Sequence, residues 1–313
     1  MCPLHLGILP ITFGHPAQQE PVCPLMVCYI RKLNNYPNET LELRMRSSSL
    51  LATVAAVACA LPLTGAFAKD EALAKAVASD SRSPNFVARD KYRKPLEVLE
   101  FAGVKPNSTV VEIAPGGGYW TEILAPYLHD KGTYYTAITP RAASERAASA
   151  ADTWQKKLDS DKARYGNVKI GDFGGGKFEP GPAGSADIVL TFRNVHNWMG
   201  QGTAEQAFAS FYKTLKPGGV LVVEEHRAPA DKPQDPKAAN GYVREDYTVG
   251  LAEKAGFKVV GRSDVLNNPK DTKDWPKGVW TLPPTLALGD QDKAKYEAIG
   301  EADNFLIKFQ KPQ

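Results

Sequence analysis

The stretch VVEIAPGGGYW, Val110 to Trp120, decides how this chain folds. Two β-branched residues lead to an acid, three consecutive glycines follow, and two aromatics close the run. β-Branched residues suit a strand. Glycine lets the backbone turn sharply and lets a ligand approach the main chain. A helical stretch, TEILAPYLHD, begins at Thr121, so the turn also presents helix N-terminal amides to polar groups. The dinucleotide fingerprint G-x-G-x-x-G is not met, because Thr121 stands where the third glycine belongs. A P-loop would need Gly-Lys-Ser/Thr, which does not follow either.

Outward from this turn, apolar runs alternate with helical ones. STVVEIA (108–114), TYYTAI (133–138), NVKIGD (167–172), ADIVLTF (186–192), VLVVEE (220–225), FKVVGRS (257–263) and NFLIKFQKP (304–312) read as seven strands. Arg141 to Ala163, AEQAFASFYKTL (204–215) and GYVREDYTVGLAEKAG (241–256) read as helices between them. FVARDKYRKPLEVLEF (86–101) reads as a helix broken or kinked at Pro95, and KPGG (216–219) as a helix stop. Alternating strands and helices predict an α/β fold: a doubly wound, mostly parallel sheet with helices on both faces. Ligands of such sheets sit beyond the carboxyl ends of the strands where the strand order reverses.

Glu112-x-Ala114-x-Gly116-x-Gly118 resembles motif I of the class I S-adenosylmethionine-dependent methyltransferases, D/E-x-G-x-G-x-G. The order of elements, LKPGGVLVVEE and the AGF before strand six are similar to that family as well. PGGGYWTEIL is closer still to the PGGGWYTEIL of a group of exported bacterial predicted methyltransferases. The resemblance covers most of residues 69–313. It implies a Rossmann-like sheet of seven strands with an antiparallel last strand, S-adenosylmethionine as cofactor and a small-molecule methyl acceptor. It also implies roles. Glu112 would orient the cofactor's ammonium end, while Ala114, Gly116, Gly117 and Gly118 would lie against its methionine and ribose portions. Asp172 would bond the adenine amino group and Phe173 would stack on the ring. Arg193 and Asn194, in TFRNVHNW, would line the methyl-donor pocket. At the end of strand two the family usually places a carboxylate for the ribose hydroxyls. Here Thr139 stands in YYTAITP, and a hydroxyl is no bidentate acceptor.

Methyl transfer needs alignment and sometimes a base on the acceptor. His196, just past strand four, and His226, just past strand five, are the candidate catalytic residues, with structural hydrogen bonding as the alternative. His129 reads as a helix C-terminal cap. Glu224, Glu225 and His226 are adjacent on a strand and should point to opposite faces, so no metal site is expected. Tyr119 and Trp120 either pack the first helix or cradle the cofactor. Arg89 and Arg93 either reach the cofactor carboxylate or stay solvated. An insertion over about 265–300, with Trp275 and Trp280, reads as a lid or acceptor wall. A ligand-binding protein that keeps the fold without catalysis is the alternative function, and a nicotinamide-dependent oxidoreductase a third.

The 38 basic and 35 acidic side chains, net +3, argue against a nucleic-acid-coating surface. Met45 to Ala68 has the form of a secretory signal peptide: Arg46, an apolar run from Leu50 to Leu61, then Ala66-Phe67-Ala68. A run of about a dozen residues is shorter than the roughly 20 that span a bilayer, so no stable membrane insertion is expected after cleavage. Residues 1–44 read as an over-long gene start or a disordered extension, and 69–313 as one domain that is exported. The composition does not reveal an oligomeric state. Cleavage after Ala68 removes all four cysteines, Cys2, Cys23, Cys28 and Cys59, and with them any thiolate metal site. Mass spectrometry of the protein from its native host is expected to find Lys69 at the N-terminus. A tryptic peptide from before Met45 would contradict it.

Overall fold

The computed structural model describes residues 70–313. The expected extension (1–44) and signal peptide (45–68) lie outside the described residues. The sheet has eight strands: β1 Thr109–Ile113, β2 Thr133–Ile138, β3 Lys169–Gly174, β4 Lys177–Glu179, β5 Ala186–Phe192, β6 Leu215–His226, β7 Lys258–Ser263 and β8 Asn304–Gln310. Their order is β4-β3-β2-β1-β5-β6-β8-β7. β1 pairs in parallel with both β2 and β5, so the reversal of strand order falls at its carboxyl end, directly under the glycines. β8 runs antiparallel to β6 and β7, as the resemblance implied. This is a Rossmann-like α/β sheet.

The additional strand is β4, which pairs antiparallel with β3. Gly174, Gly175 and Gly176 all have positive φ and make the tight turn between them. Phe178 packs its ring edge on Phe173. Three residues between GGG and PGPAG carry too little pattern to be read as a strand.

Successive β1 side chains serve opposite faces. Val111 and Ile113 join one core with Phe208, Phe211 and Phe309, while Val110 joins the other with Ile123, Leu124 and Trp154. The helices Ala204–Thr214 and Glu245–Lys254 contribute to the first core, and Pro95–Ala102, Thr121–Leu128 and Glu145–Asp159 to the second. The sheet is therefore covered on both sides.

Local chemistry sets where elements stop. The expected helix over 86–101 is three short ones, Pro84–Val87, Asp90–Arg93 and Pro95–Ala102. Lys94 turns left-handed at φ 45, and Pro95 opens the third where its missing N–H costs nothing. Helix Thr121–Leu128 contains Pro126, which cannot donate to the Glu122 carbonyl. The Arg164 guanidinium supplies that bond at 3.3 Å. KPGG is an excursion within β6: Leu215 pairs with Ala186, then Val220 resumes opposite Ile188. The helix expected from Gly241 begins only at Glu245, because Val243 bridges to Arg227.

The insertion holds a short 3-10 turn, Gly278–Thr281, and the helix Lys293–Ile299. Tyr242, Val279, Leu282, Tyr296 and Ala302 form a third apolar cluster there. Asp271, 3% exposed, organises it. Its carboxylate accepts from the Tyr242 hydroxyl (2.9 Å), the Trp275 indole (2.7 Å) and the amides of Lys273 (3.0 Å) and Asp303 (2.9 Å). Asp271→Ala leaves four donors short of an acceptor. It is expected to lower unfolding free energy by about 2–4 kcal/mol in urea titration. A loss below about 0.5 kcal/mol would show that Asp271 does not hold the insertion.

Candidate active site

The turn after β1 is left-handed at Ala114 (φ 51), Gly116 (φ 58) and Gly118 (φ 90). At Gly118 the backbone itself calls for glycine, and a Cβ there would also lie 3.3 Å from Trp154 of the helix Glu145–Asp159. Gly116 differs: a Cβ there would meet nothing within 4 Å. It faces a cavity of about 220 Å³ between the turn, the segment from Phe192 to Asn194, and Arg89 and Arg93.

Glu112 is 2% exposed and lines this cavity. Thr121 Oγ1 (3.0 Å) and the Tyr134 hydroxyl both donate to its Oε2, and among the described residues Oε1 has no donor. Thr121, which breaks the dinucleotide fingerprint, is thus the partner of the acid. Burial pushes the Glu112 pKa up to about 7, against the pull of both hydroxyls. Tyr119 and Trp120 are packing residues: Tyr119 bonds Asp90 at 2.6 Å, and Trp120 lies on Phe192 at 4.4 Å between ring centres. Their inner edges still wall the cavity.

The arginines are not solvated as one alternative held. Arg89 grips Glu301 with two bonds (2.6 and 2.9 Å), Arg193 reaches the same carboxylate at 2.7 Å, and Arg93 lies 3.7 Å from it. Arg193 also stands 3.6 Å from Glu224. Glu301 comes from the end of the insertion, and no sequence motif marked it. Glu224 is 1% exposed, and its Oε2 has no hydrogen-bond partner among the described residues. Burial raises its pKa to about 7, even with Arg193 opposing.

Around the rim, Asn194 donates to the carbonyls of Ile113 (3.3 Å) and Phe192 (3.2 Å), tying the ends of β1 and β5 together. Thr139 Oγ1 donates to the Phe173 carbonyl at 3.4 Å. Asp172 ends in an ion pair with Lys177 of the β3–β4 hairpin. Phe173 corrects an expectation. It is buried in the core, stacked on Phe211 and edged by Phe178 and Trp198, so its faces are taken and it cannot stack on an adenine.

The two candidate histidines do meet, 5.6 Å between ring centres. His196 lies in the helix Val195–Gln201, which leans over the end of β6. Its Nδ1 is 3.0 Å from Glu225 Oε1, and its amide donates to Oε2 at 3.1 Å. His226 Nδ1 donates to Asn304 Oδ1 at 2.8 Å; Asn304 is oriented by its own bond to the Ala302 carbonyl at 3.1 Å. The expectation that neighbours on a strand diverge fails at this spot. The Glu225 carboxylate curls back onto the His226 amide (2.8 Å), so Glu225, His226 and His196 bring donor atoms within 4.8 Å of one another. Trp280 of the insertion stands edge-on to His196 at 6.0 Å, and Tyr242 to His226 at 6.4 Å. Neither contact was legible in the sequence. His129 sits at the end of helix Thr121–Leu128 beside Asp130 (2.8 Å), away from this cluster.

Burial disfavours charge on both rings, with different outcomes. At His196 the Glu225 carboxylate outweighs burial and the pKa is raised. At His226 burial prevails and holds it near 4. Glu225 is desolvated too, but His196 and the amide bonds win and its pKa is lowered. Glu112 and Glu224 act on stability in the opposite sense to Glu225. Each folded-state pKa is raised, so each contribution is present below about pH 4.5 and lost as pH rises through about 7. Glu224→Gln is expected to flatten the fall in stability between these limits, measured by urea titration across pH. An unchanged slope would contradict it.

A family model described as a methyltransferase domain matches residues 111–223. Among curated proteins, the chain is 34% identical over 121 residues to a highly reducing polyketide synthase of Neocamarosporium betae. That match covers 38% of this chain but only 4% of the synthase. Among solved structures, an S-adenosylmethionine-dependent methyltransferase from Aquifex aeolicus is 18% identical, with 73% of this chain and 94% of that one covered and a TM-score of 0.47. Phosphoethanolamine N-methyltransferase 2 of Haemonchus contortus, solved with S-adenosyl-L-methionine, is 14% identical over 77% of this chain and 60% of its own, TM-score 0.47. The residues matched by the methyltransferase domain model, 111–223, hold the glycine turn, the switch point beneath it and the strands on either side.

Proposed function

We propose that the protein is an S-adenosylmethionine-dependent methyltransferase for a small-molecule acceptor, with His196 as general base. The supporting observation is the open left-handed turn at Gly116, beside a cavity lined on its other side by Phe192, Arg193 and Asn194. The residues fit the cofactor. Bare backbone from Ala114 to Gly118 suits the methionine and ribose portions, and the undonated Oε1 of Glu112 suits the ammonium. Asp172 and Thr139 stand at the ends of β3 and β2 for the nucleoside. With Thr139 in place of a carboxylate, loss of charge-assisted bonds worth roughly 1.5–3 kcal/mol each weakens affinity about tenfold or more.

When bound, the cofactor supplies an electrophilic methyl on a sulfonium. The chain's own work is then to exclude water, align the acceptor and take its proton. His196 suits the last task, since Glu225 on Nδ1 stabilises the imidazolium that forms and leaves the other nitrogen for the acceptor. His226, neutral through the physiological range, suits orientation. Trp280 and Tyr242 suit an apolar wall for the acceptor. The missing ribose carboxylate favours a second reading, a binding protein without turnover. The signal-like segment at 45–68 supports action outside the cytosol, a proposal that cell fractionation tests.

Calorimetric titration with S-adenosylhomocysteine is expected to show saturable binding, and no heat at millimolar ligand would overturn the reading. Once an acceptor is found, turnover should rise with pH through a raised His196 pKa, above 6.5. His196→Gln should lower the rate about 10²–10⁴-fold. Binding with an unchanged rate in His196→Gln would remove the base, and binding with no acceptor turned over would favour the second reading.

A further inference from the structure

We propose that His196, Glu225 and His226 form a binding site for one divalent transition-metal cation of the zinc class. Two imidazoles and a carboxylate are a donor set that such ions take, at about 2.0–2.2 Å from each ligand atom. Here the three donors come from two elements that the fold holds rigidly, helix Val195–Gln201 and the end of β6, and they lie within 4.8 Å of one another. Closing from that spacing needs side-chain rotation rather than backbone movement.

The surroundings point the same way. Ligating histidines commonly donate their other ring N–H to an acceptor that fixes the tautomer. His226 does this: Asn304 Oδ1 takes the Nδ1 proton, and Asn304 is itself anchored to the Ala302 carbonyl, so Nε2 keeps its lone pair. Glu225 is fully buried, charged, and held by the amides of His196 and His226. His226 is neutral, the state a metal requires. The wall opposite is Trp280 and Tyr242, which offers no competing cation. The nearest positive group is Arg193, whose charge is offset by Glu224 and Glu301.

His196 Nδ1 and Glu225 Oε1 lie 3.0 Å apart, and a cation entering the cluster would take the place of that contact. Three protein ligands leave coordination positions for water or an oxygen-bearing acceptor beside the proposed methyl-donor pocket. The binding is read without methyl transfer, so either proposal can fail alone; His196 takes a proton only in the metal-free protein, because a bound cation occupies its lone pair.

Titration of chelator-treated full-length protein with Co²⁺, followed by visible ligand-field absorption, tests the site. The expected result is saturation at a single equivalent and displacement by Zn²⁺. Glu225→Gln and His226→Asn should each weaken binding at least tenfold, while His129→Ala, outside the cluster, should bind as the parent does. Circular dichroism confirms that each variant is folded. Should a variant not fold, the parent titration decides. No stoichiometric uptake, uptake unchanged by either substitution, or uptake lost equally in His129→Ala would overturn the proposal.

Discussion

The constraint on which the rest depends is the position of β1 between β2 and β5. Parallel pairing on both sides forces the chain to leave the sheet at one point, at the end of β1, with the helix Thr121–Leu128 starting seven residues on from Ala114. Three left-handed residues accomplish that exit. Only glycine adopts such backbone at no cost, so the Gly-rich turn answers the topology first. Gly116 keeps open space around its α-carbon, whereas Gly118 faces the helix that carries Trp154.

Buried carboxylates carry the second level of organisation. Glu112, Glu224, Glu225, Glu301 and Asp271 are each nearly or wholly inaccessible, and each is bound in a different way. Glu112 leans on two hydroxyls, Glu225 on a histidine and two amides, Glu301 on arginines, and Asp271 on four donors. Glu224 keeps an unpartnered oxygen, which is costly unless the group is neutral. Glu301, Asp303 and Asn304 follow one another where the insertion re-enters β8. Through them the insertion reaches Arg89 and Arg193 on one side, Arg227 in the middle and His226 on the other. The insertion and the sheet share one polar network.

Much of the architecture was legible because periodicity survives in sequence. Short apolar-rich runs located seven of the eight strands, and the acid-glycine spacing located the turn. β4 was not legible, since three residues have no period. The helix over 86–101 was misjudged because Pro95 signals a break without saying that Lys94 turns left-handed before it. Phe173 was misassigned because a strand-end aromatic carries no mark of which face it serves. Its neighbours Phe211 and Trp198 come from helices far along the chain.

What the sequence determined alone was local: where strands and helices lie, which residue types cluster after β1, and which few histidines exist to serve as bases. What tertiary structure decided was convergence. The pairing of His196 with Glu225, the grip of three arginines on Glu301 and the approach of Trp280 join residues from 29 to 212 positions apart, and the Glu225 carboxylate curls onto the amide of its neighbour His226. No spacing rule links such residues, because side-chain direction at a strand end depends on burial and hydrogen bonding in the folded chain. Local pattern is set by backbone geometry, whereas a site is set by which desolvated groups must find partners when the layers close.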